Sequence, residues 1–241
     1  MLDLSVVIIG YKNHRLVRQT LKGIRRVSPG VSHEILLVEN DPSGATTAMA
    51  REFPEVRVVD ERKNVGFGRG MNRGFQDAKG RYVMVFNPDV VVTPGSFEKL
   101  VAYLDAHPDV GMVGPRLMNP DGTLQHSCYT FMTPATVLAR RLPFVRRLAR
   151  VRKHLDRYTM ADWDHAQTRD VDYLLGAAIL VRRSALDAVG ARWPCRRAGR
   201  SGCIPRCTGN WRHGSNAPVP SSRSSRPGRR RVATTFRCAT A

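Results

Sequence analysis

The chain has 241 residues and a formal net charge of +19, and it is long enough for one substantial hydrophobic core. Residues 191–241 contain twelve arginines and no acidic residue, residues 138–157 carry a further +7, and the remainder is neutral. Because this charge lies in two segments and the rest of the chain is neutral, no nucleic-acid partner is expected. Neither a signal-peptide pattern nor an apolar run of about 18 residues is present, which favours a cytoplasmic protein.

Cysteine usage points to the same compartment. Four of the five cysteines lie in 191–241, and only Cys128 precedes them. Residues 1–190 contain one thiol and therefore need no disulfide framework, which is typical of a protein from a reducing compartment. Cys203 and Cys207 lack the second ligand pair that a structural zinc site requires.

Short apolar runs alternate with amphipathic segments through the first 190 residues. Residues 4–9 read as a strand buried on both faces, and a helix follows in which Val17, Leu21 and Ile24 share one face. Further strands are predicted at 35–38, 56–59, 82–86, 111–113 and 172–182, with helices at 46–53, 72–78 and 93–104. This alternation predicts an α/β fold with a doubly wound, mostly parallel sheet.

Polar residues follow several of these strands directly. Tyr11 and Asn13 come after the first strand, Glu39 after the second and Asp89 after the strand at 82–86. Any one of them alone would be an ordinary turn residue. Open α/β sheets bind ligands at the carboxyl ends of their strands, so these side chains are expected to converge on one site.

The segment 64–89 carries the most specific chemistry. Its glycine-spaced loop leads to a short helix, an apolar strand and Asn87-Pro88-Asp89. A strand-end carboxylate suits a divalent cation that holds a diphosphate, although Asn-Pro-Asp is also common in turns. The glycine spacing does not fit G-x-G-x-x-G, and no G-x-x-x-x-G-K-[ST] occurs, which argues against dinucleotide dehydrogenases and P-loop enzymes.

These motifs together resemble family 2 glycosyltransferases of the GT-A fold, in particular their bacterial rhamnosyltransferase-like branch. The resemblance covers about residues 5–190 and rests on segments 6–13, 38–41, 64–68, 72–74, 87–89, 115–122 and 176–182. It implies a GT-A-type doubly wound, mostly parallel sheet with a Rossmann-like nucleotide-binding half. It places the domain boundary near residue 190.

The resemblance also implies roles for individual residues. Glu39 stands where the family usually has an aspartate that contacts the base, and Asp89 would bind Mg²⁺ or Mn²⁺. The residues implied in donor-nucleotide binding are Tyr11, Asn13, Glu39, Asn64, Gly66, Asn72 and Asn87. Gly176, Ala177 and Ala178 would line the acceptor or sugar pocket, and tight sheet–helix packing explains these three small residues equally well.

The implied activity is an inverting, metal-dependent transfer of a sugar such as rhamnose. The donor would be a nucleoside-diphosphate sugar, and the acceptor a cell-wall or polyprenyl-linked glycan. A second hypothesis is a non-catalytic remnant that binds nucleotide sugars or glycans at the membrane.

The segment 191–241 departs from the family. The family continues with an acidic segment that supplies the general base, whereas this chain has no acid after residue 190, so its catalytic base is unassigned and its activity is expected to be impaired. The composition predicts a basic tail of low order. Either a natural basic arm or out-of-frame translation explains it.

Residues 137–158 alternate apolar and basic side chains. The pattern predicts a basic amphipathic helix that contacts the anionic inner face of the cell membrane through 138–157. A solvated helix packed on the domain is the alternative.

Overall fold

The computed structural model describes residues 1–27, 29–61 and 63–189, and the backbone of 235–239. The strands are β1 Leu4–Gly10, β2 His33–Glu39, β3 Val56–Asp60, β4 Tyr82–Phe86, β5 Val110–Pro115, β6 Leu117–Met118, β7 Leu124–Gln125, β8 Cys128–Tyr129, β9 Arg169–Asp170, β10 Tyr173–Leu174, β11 Ala178–Arg182 and β12 Thr235–Ala239. The α-helices are α1 His14–Val27, α2 Ala45–Ala50, α3 Phe67–Asp77, α4 Ser96–Ala106, α5 Pro134–Arg141, α6 Ala149–Tyr158 and α7 Arg183–Ala188, and Pro143–Arg147 forms a 3-10 turn.

The main sheet has the strand order β3-β2-β1-β4-β11-β5-β12-β9. The first four strands are parallel, and β11 runs antiparallel between β4 and β5. Since β11 opposes both neighbours, β5 points in the same direction as β4. The predicted α/β, mostly parallel sheet is confirmed.

Helices cover both faces of the sheet. The strand side chains alternate: Val6 and Ile8 pack with α1 and α4, whereas Val7 and Ile9 pack with Met71 and Phe75 of α3. This is why the strands read as nearly continuous apolar runs, since each is buried on both sides.

Helix α3 begins at Phe67, five residues before the predicted start at residue 72. Its glycines belong to the helix and not to a loop. A Cβ atom at Gly74 would collide with Val7 Cγ1, and one at Gly70 would lie 3.1 Å from Ile9 Cδ1. The glycines therefore let the helix approach β1 closely, which outweighs their low helix propensity.

The predicted strand 172–182 is broken into β10 and β11. Leu175 donates its backbone N–H to the Ser127 carbonyl (2.7 Å), and the Ala177 carbonyl accepts from Asn87 (2.8 Å). The chain passes at this point from the small sheet of β8 and β10 to the main sheet. An apolar run cannot reveal such a change of partner.

The predicted single helix at 137–158 is also divided. Helix α5 ends at Arg141, the 3-10 turn follows, and α6 starts at Ala149. Pro143 explains the interruption, because proline lacks the N–H that continues a helix.

The domain boundary at 190 stays a prediction, because residues 190–234 and 240–241 lie outside the described part of the chain. Within the predicted low-order tail, Thr235–Ala239 forms β12, which pairs with β5 and β9. Without β12, the outer edge of β5 would leave its backbone groups unpaired, and threonine and phenylalanine favour strands. For these two reasons this short segment differs from the expectation for the tail.

We predict that Gly74→Ala lowers the free energy of unfolding by about 1–3 kcal/mol, because the added methyl group forces α3 away from β1. Gly23→Ala is the matched control: no atom lies within 4 Å of its added Cβ, so stability should stay the same or rise by up to about 1 kcal/mol. Urea unfolding of the full chain measures both, and equal effects would contradict this account of α3.

Candidate functional site

The carboxyl ends of β2, β1 and β4 lie side by side at one edge of the sheet. Gly10 at the end of β1 pairs with Glu39 at the end of β2, and β4 flanks β1 on its other side. Neighbouring strands are about 4.8 Å apart, so the three following loops form one surface. The structure thus brings the first-strand, second-strand and Asp89 loops together.

The loop after β1 is tied to the loop after β2. Tyr11 is exposed, and its backbone N–H donates to Asn13 Oδ1 at 2.8 Å. Lys12 adopts a positive φ of 55° and donates its N–H to Asp41 Oδ2 at 3.2 Å. The Asn13 side chain therefore shapes this loop, while the Tyr11 ring faces solvent.

Glu39 is completely buried. Its carboxylate accepts the backbone N–H groups of Asp41 (3.1 Å) and Thr47 (2.7 Å), which closes the loop between β2 and α2. Both oxygens are therefore engaged inside the protein. The base contact implied for Glu39 stays a prediction, and this placement favours a structural role.

The sequence did not reveal the roles of Asn40 and Asp41, although both residues lie in the segment 38–41 that resembles the family. The buried Asn40 amide accepts from the Val65 N–H (2.9 Å) and donates to Asn64 Oδ1 (3.3 Å), which joins β2 to the start of α3. The Ser43 and Lys12 backbone N–H groups lower the pKa of the Asp41 carboxyl, so it is ionised at neutral pH.

Asn64 and Gly66 shape the entry to α3. Asn64 Oδ1 accepts the Gly66 N–H at 2.9 Å, and Gly66 takes a φ of 81° at the N-cap position. A positive φ of this kind favours glycine. Asn72 is half-buried in the middle of α3. It is therefore separated from the helix entry that Asn64 and Gly66 form.

The turn after β4 is held from two sides. The Asn87 N–H bonds to Ala177, and Thr20 Oγ1 of α1 donates to the Pro88 carbonyl at 2.7 Å. Asp89 is exposed, and within the described ranges its carboxylate has no hydrogen-bond or ion-pair partner. The turn is thus fixed while its carboxylate is exposed.

A divalent cation fits Asp89 as one oxygen ligand. The residues that the structure describes contain no group of three or more His, Cys, Asp or Glu that could hold a metal. A cation at Asp89 would therefore need further ligands from a diphosphate and water, which is how Mg²⁺ is often bound beside phosphates.

The three small residues of the predicted pocket behave differently. No atom lies within 4 Å of a Cβ added to Gly176, so this position borders open space. Ala177 and Ala178 are buried in the core. Of the three, only Gly176 has the surroundings that an approaching sugar ring would need.

Comparison with known proteins agrees with this geometry. The model of the family named glycosyl transferase family 2 matches residues 5–190. The chain belongs to glycosyl transferase family 2. Over 176 residues it is 28% identical to an N-acetylglucosaminyl-diphospho-decaprenol L-rhamnosyltransferase of Mycobacterium tuberculosis, with 65% of this chain and 54% of the relative covered. It is also 30% identical over 93 residues to the amylovoran biosynthesis glycosyltransferase AmsE of Erwinia amylovora, covering 36% of this chain and 35% of the relative.

A solved structure shares the fold. The family 2 chain superposes on the mannosyltransferase PcManGT of Pyrobaculum calidifontis, which was solved in complex with GDP-Man and Mn²⁺. The TM-score is 0.50 and the sequence identity is 19%, and the superposition covers 79% of this chain and 47% of that protein. The GT-A fold expected from the sequence is therefore confirmed. The chain spans about half the length of the rhamnosyltransferase relative.

We predict that Glu39→Gln lowers the free energy of unfolding by about 1–3 kcal/mol, because the amide nitrogen cannot accept one of the two buried N–H groups. Asp89→Asn is the matched control, since an exposed carboxylate without a described partner should cost under about 0.5 kcal/mol. Thermal or urea unfolding checks both. Unchanged stability with weakened nucleotide binding in Glu39→Gln would instead support direct contact with the base.

Proposed function

We propose that this family 2 chain transfers a sugar such as rhamnose from a nucleoside-diphosphate donor to a lipid-linked or cell-wall glycan, with inversion and with Mg²⁺ or Mn²⁺. The observation that carries the proposal is the exposed Asp89 carboxylate on a fixed turn beside the loops of β1 and β2. The name of the rhamnosyltransferase relative supports the sugar and a diphospho-polyprenol acceptor. The complex of the mannosyltransferase PcManGT with GDP-Man and Mn²⁺ supports the cation and the donor class.

In this proposal Tyr11 on the loop after β1, Asn64 at the entry to α3 and Asn72 within α3 bind the nucleotide, and Asn87 together with Asp89 faces the diphosphate. A bound cation would neutralise the charge that develops on the leaving diphosphate. Open space beside Gly176 would let the acceptor approach the donor sugar from the opposite side of the turn. Fixed loops keep these groups oriented before substrate arrives.

We also infer that transfer by this chain is slow. Family 2 enzymes place their general base after the position of residue 190, and this sequence has no acidic residue there. Loss of a general base typically lowers the rate by about 10²–10⁴-fold. The same feature favours the second candidate, a chain that binds nucleotide sugars or glycans without transferring them.

A membrane contact through 138–157 is proposed for the pair of helices α5 and α6, which extends from 134 to 158. Thr136 and His154 join α5 to α6 through a hydrogen bond of 2.8 Å, and the Thr130 N–H donates to the Tyr158 carbonyl at 3.0 Å, which fixes α6 to the domain. Several large apolar side chains and arginines of this segment are nevertheless exposed: Val137, Leu138, Arg140, Arg141, Phe144, Arg147, Leu148, Arg150 and Arg152. Within the described ranges no helix is long and apolar enough to span a bilayer. Exposed apolar and basic side chains together suit the surface of an anionic bilayer.

For the donor site, we predict Mn²⁺- or Mg²⁺-dependent binding of a nucleoside diphosphate that Asp89→Ala abolishes. The Asp121→Ala variant is the control, since Asp121 is an exposed carboxylate in the turn between β6 and β7. Titration calorimetry with and without EDTA measures the effect. Binding that is unaffected by EDTA, or equal binding by the two variants, would contradict the cation site.

For the missing base, we predict that restoring residues after 190 from the alternative reading frame raises the rate of sugar transfer by about 10²–10⁴-fold. Both chains should bind the nucleoside diphosphate. Transfer is measured with radiolabelled donor and a lipid-linked glycan. Equal transfer by the two chains would show that the base lies within residues 1–190.

For the membrane contact, we predict salt-sensitive binding to vesicles containing anionic lipid. Replacing Arg147, Arg150 and Arg152 by Gln should weaken the partition roughly 100-fold, at about 1 kcal/mol per basic residue. Replacing the exposed Arg15, Lys22 and Arg26 of α1 removes the same charge elsewhere and should have little effect. Equal losses from both triple variants would indicate a net-charge effect and contradict a localised contact.

A further inference from the structure

The hairpin after β5 places an arginine opposite a histidine. Leu117 pairs with Gln125, and Met118 with Leu124, in an antiparallel register. Continuing this register by one residue sets Arg116 across from His126. Side chains directly opposite each other in antiparallel strands have Cβ atoms about 4.5–5.5 Å apart. Arg116 also follows β5, so it lies at the same edge of the sheet as the turn after β4.

The same histidine leads to the predicted pocket. Cys128 pairs with Leu174 in β8 and β10, and the bond from the Leu175 N–H to Ser127 extends that pairing by one residue. The next pair in this register joins His126 to Gly176, the position bordered by open space. Ala177 follows and holds Asn87. A continuous row therefore runs from Arg116 through His126 and Gly176 to the Asp89 turn.

A buried histidine lies behind this row. His165 stacks on Trp163 with ring centroids 4.0 Å apart and an interplanar angle of 18°. Its pKa is lowered by burial and then by the charges of His126 and Arg116. The carboxylate of Asp164, which also acts on His165, accepts the Ala166 N–H at 2.8 Å.

Arg116 has no ion-pair partner among the residues that the structure describes. Its Nε atom is buried there without a hydrogen-bond acceptor. A buried donor left unsatisfied is destabilising, so such a group in a folded protein points to a missing partner. Guanidinium groups match the geometry of phosphate oxygens, and imidazole adds a further donor.

We propose that Arg116 and His126 form an anion subsite that binds the phosphate groups of a diphosphate-bearing acceptor, next to the sugar pocket at Gly176. The inference rests on the proposed transfer to a lipid-linked glycan and adds residues that recognise the acceptor. It separates two phosphate sites along one edge. The donor diphosphate lies at Asp89, and the acceptor diphosphate lies at Arg116.

The test is titration calorimetry in EDTA, which removes the cation that the donor site requires. The probe is farnesyl diphosphate, a water-soluble isoprenyl diphosphate, with farnesol and inorganic pyrophosphate as separate arms. Arg116→Gln and His126→Gln should each raise the Kd for farnesyl diphosphate at least tenfold. Because His126 is exposed, its variant keeps the test valid even if Arg116→Gln fails to fold. Arg15→Gln, an exposed arginine on α1, should leave the Kd unchanged.

Binding of both diphosphate probes, lost in the two variants and absent for farnesol, would support the subsite. Unchanged binding in both folded variants, or equal binding of farnesol, would overturn it. The same variants should keep Mn²⁺-dependent nucleoside-diphosphate binding, and a matching loss there would assign Arg116 to the donor and also overturn the proposal. Failure of the donor site alone would appear as lost nucleotide binding with intact farnesyl diphosphate binding.

Discussion

The backbone pairing of β1 with β2 on one side and β4 on the other determines where the polar residues of the site lie. Because these strands are parallel and in register, Gly10, Glu39 and Phe86 end at one edge, and their loops become neighbours. That pairing depends in turn on α3, whose glycines allow the helix to lie directly on Val7 and Ile9. A site built of exposed loop residues thus rests on a contact deep in the core.

Strand-end polar residues divide into two groups with different physical tasks. Glu39, Asn40 and Asn64 use their side chains to satisfy backbone N–H groups, and they keep the loops in one conformation. Tyr11 and Asp89 are exposed on those loops. Buried polar groups must be hydrogen-bonded, so the first group is held by the fold. The second group is left available for a ligand.

The proposed acceptor side is built by different means. It consists of short pieces, the hairpin of β6 and β7 and the pair β8–β10, which lie outside the main sheet. Basic and aromatic side chains gather there, whereas the proposed nucleotide side is formed from regular strand ends.

The sequence by itself determined the alternating α/β architecture, the family, and the position of Asp89 after a buried strand, because apolar periodicity and short motifs record local requirements. Tertiary structure decided that Glu39 faces inward, that the glycines of α3 serve packing, and that the run at 172–182 changes sheets. Each of these depends on a partner outside the local motif: Thr47, Val7 or Ser127. Arg116 and His126 stood in the sequence without a role, because only the hairpin register brings them together and next to Gly176.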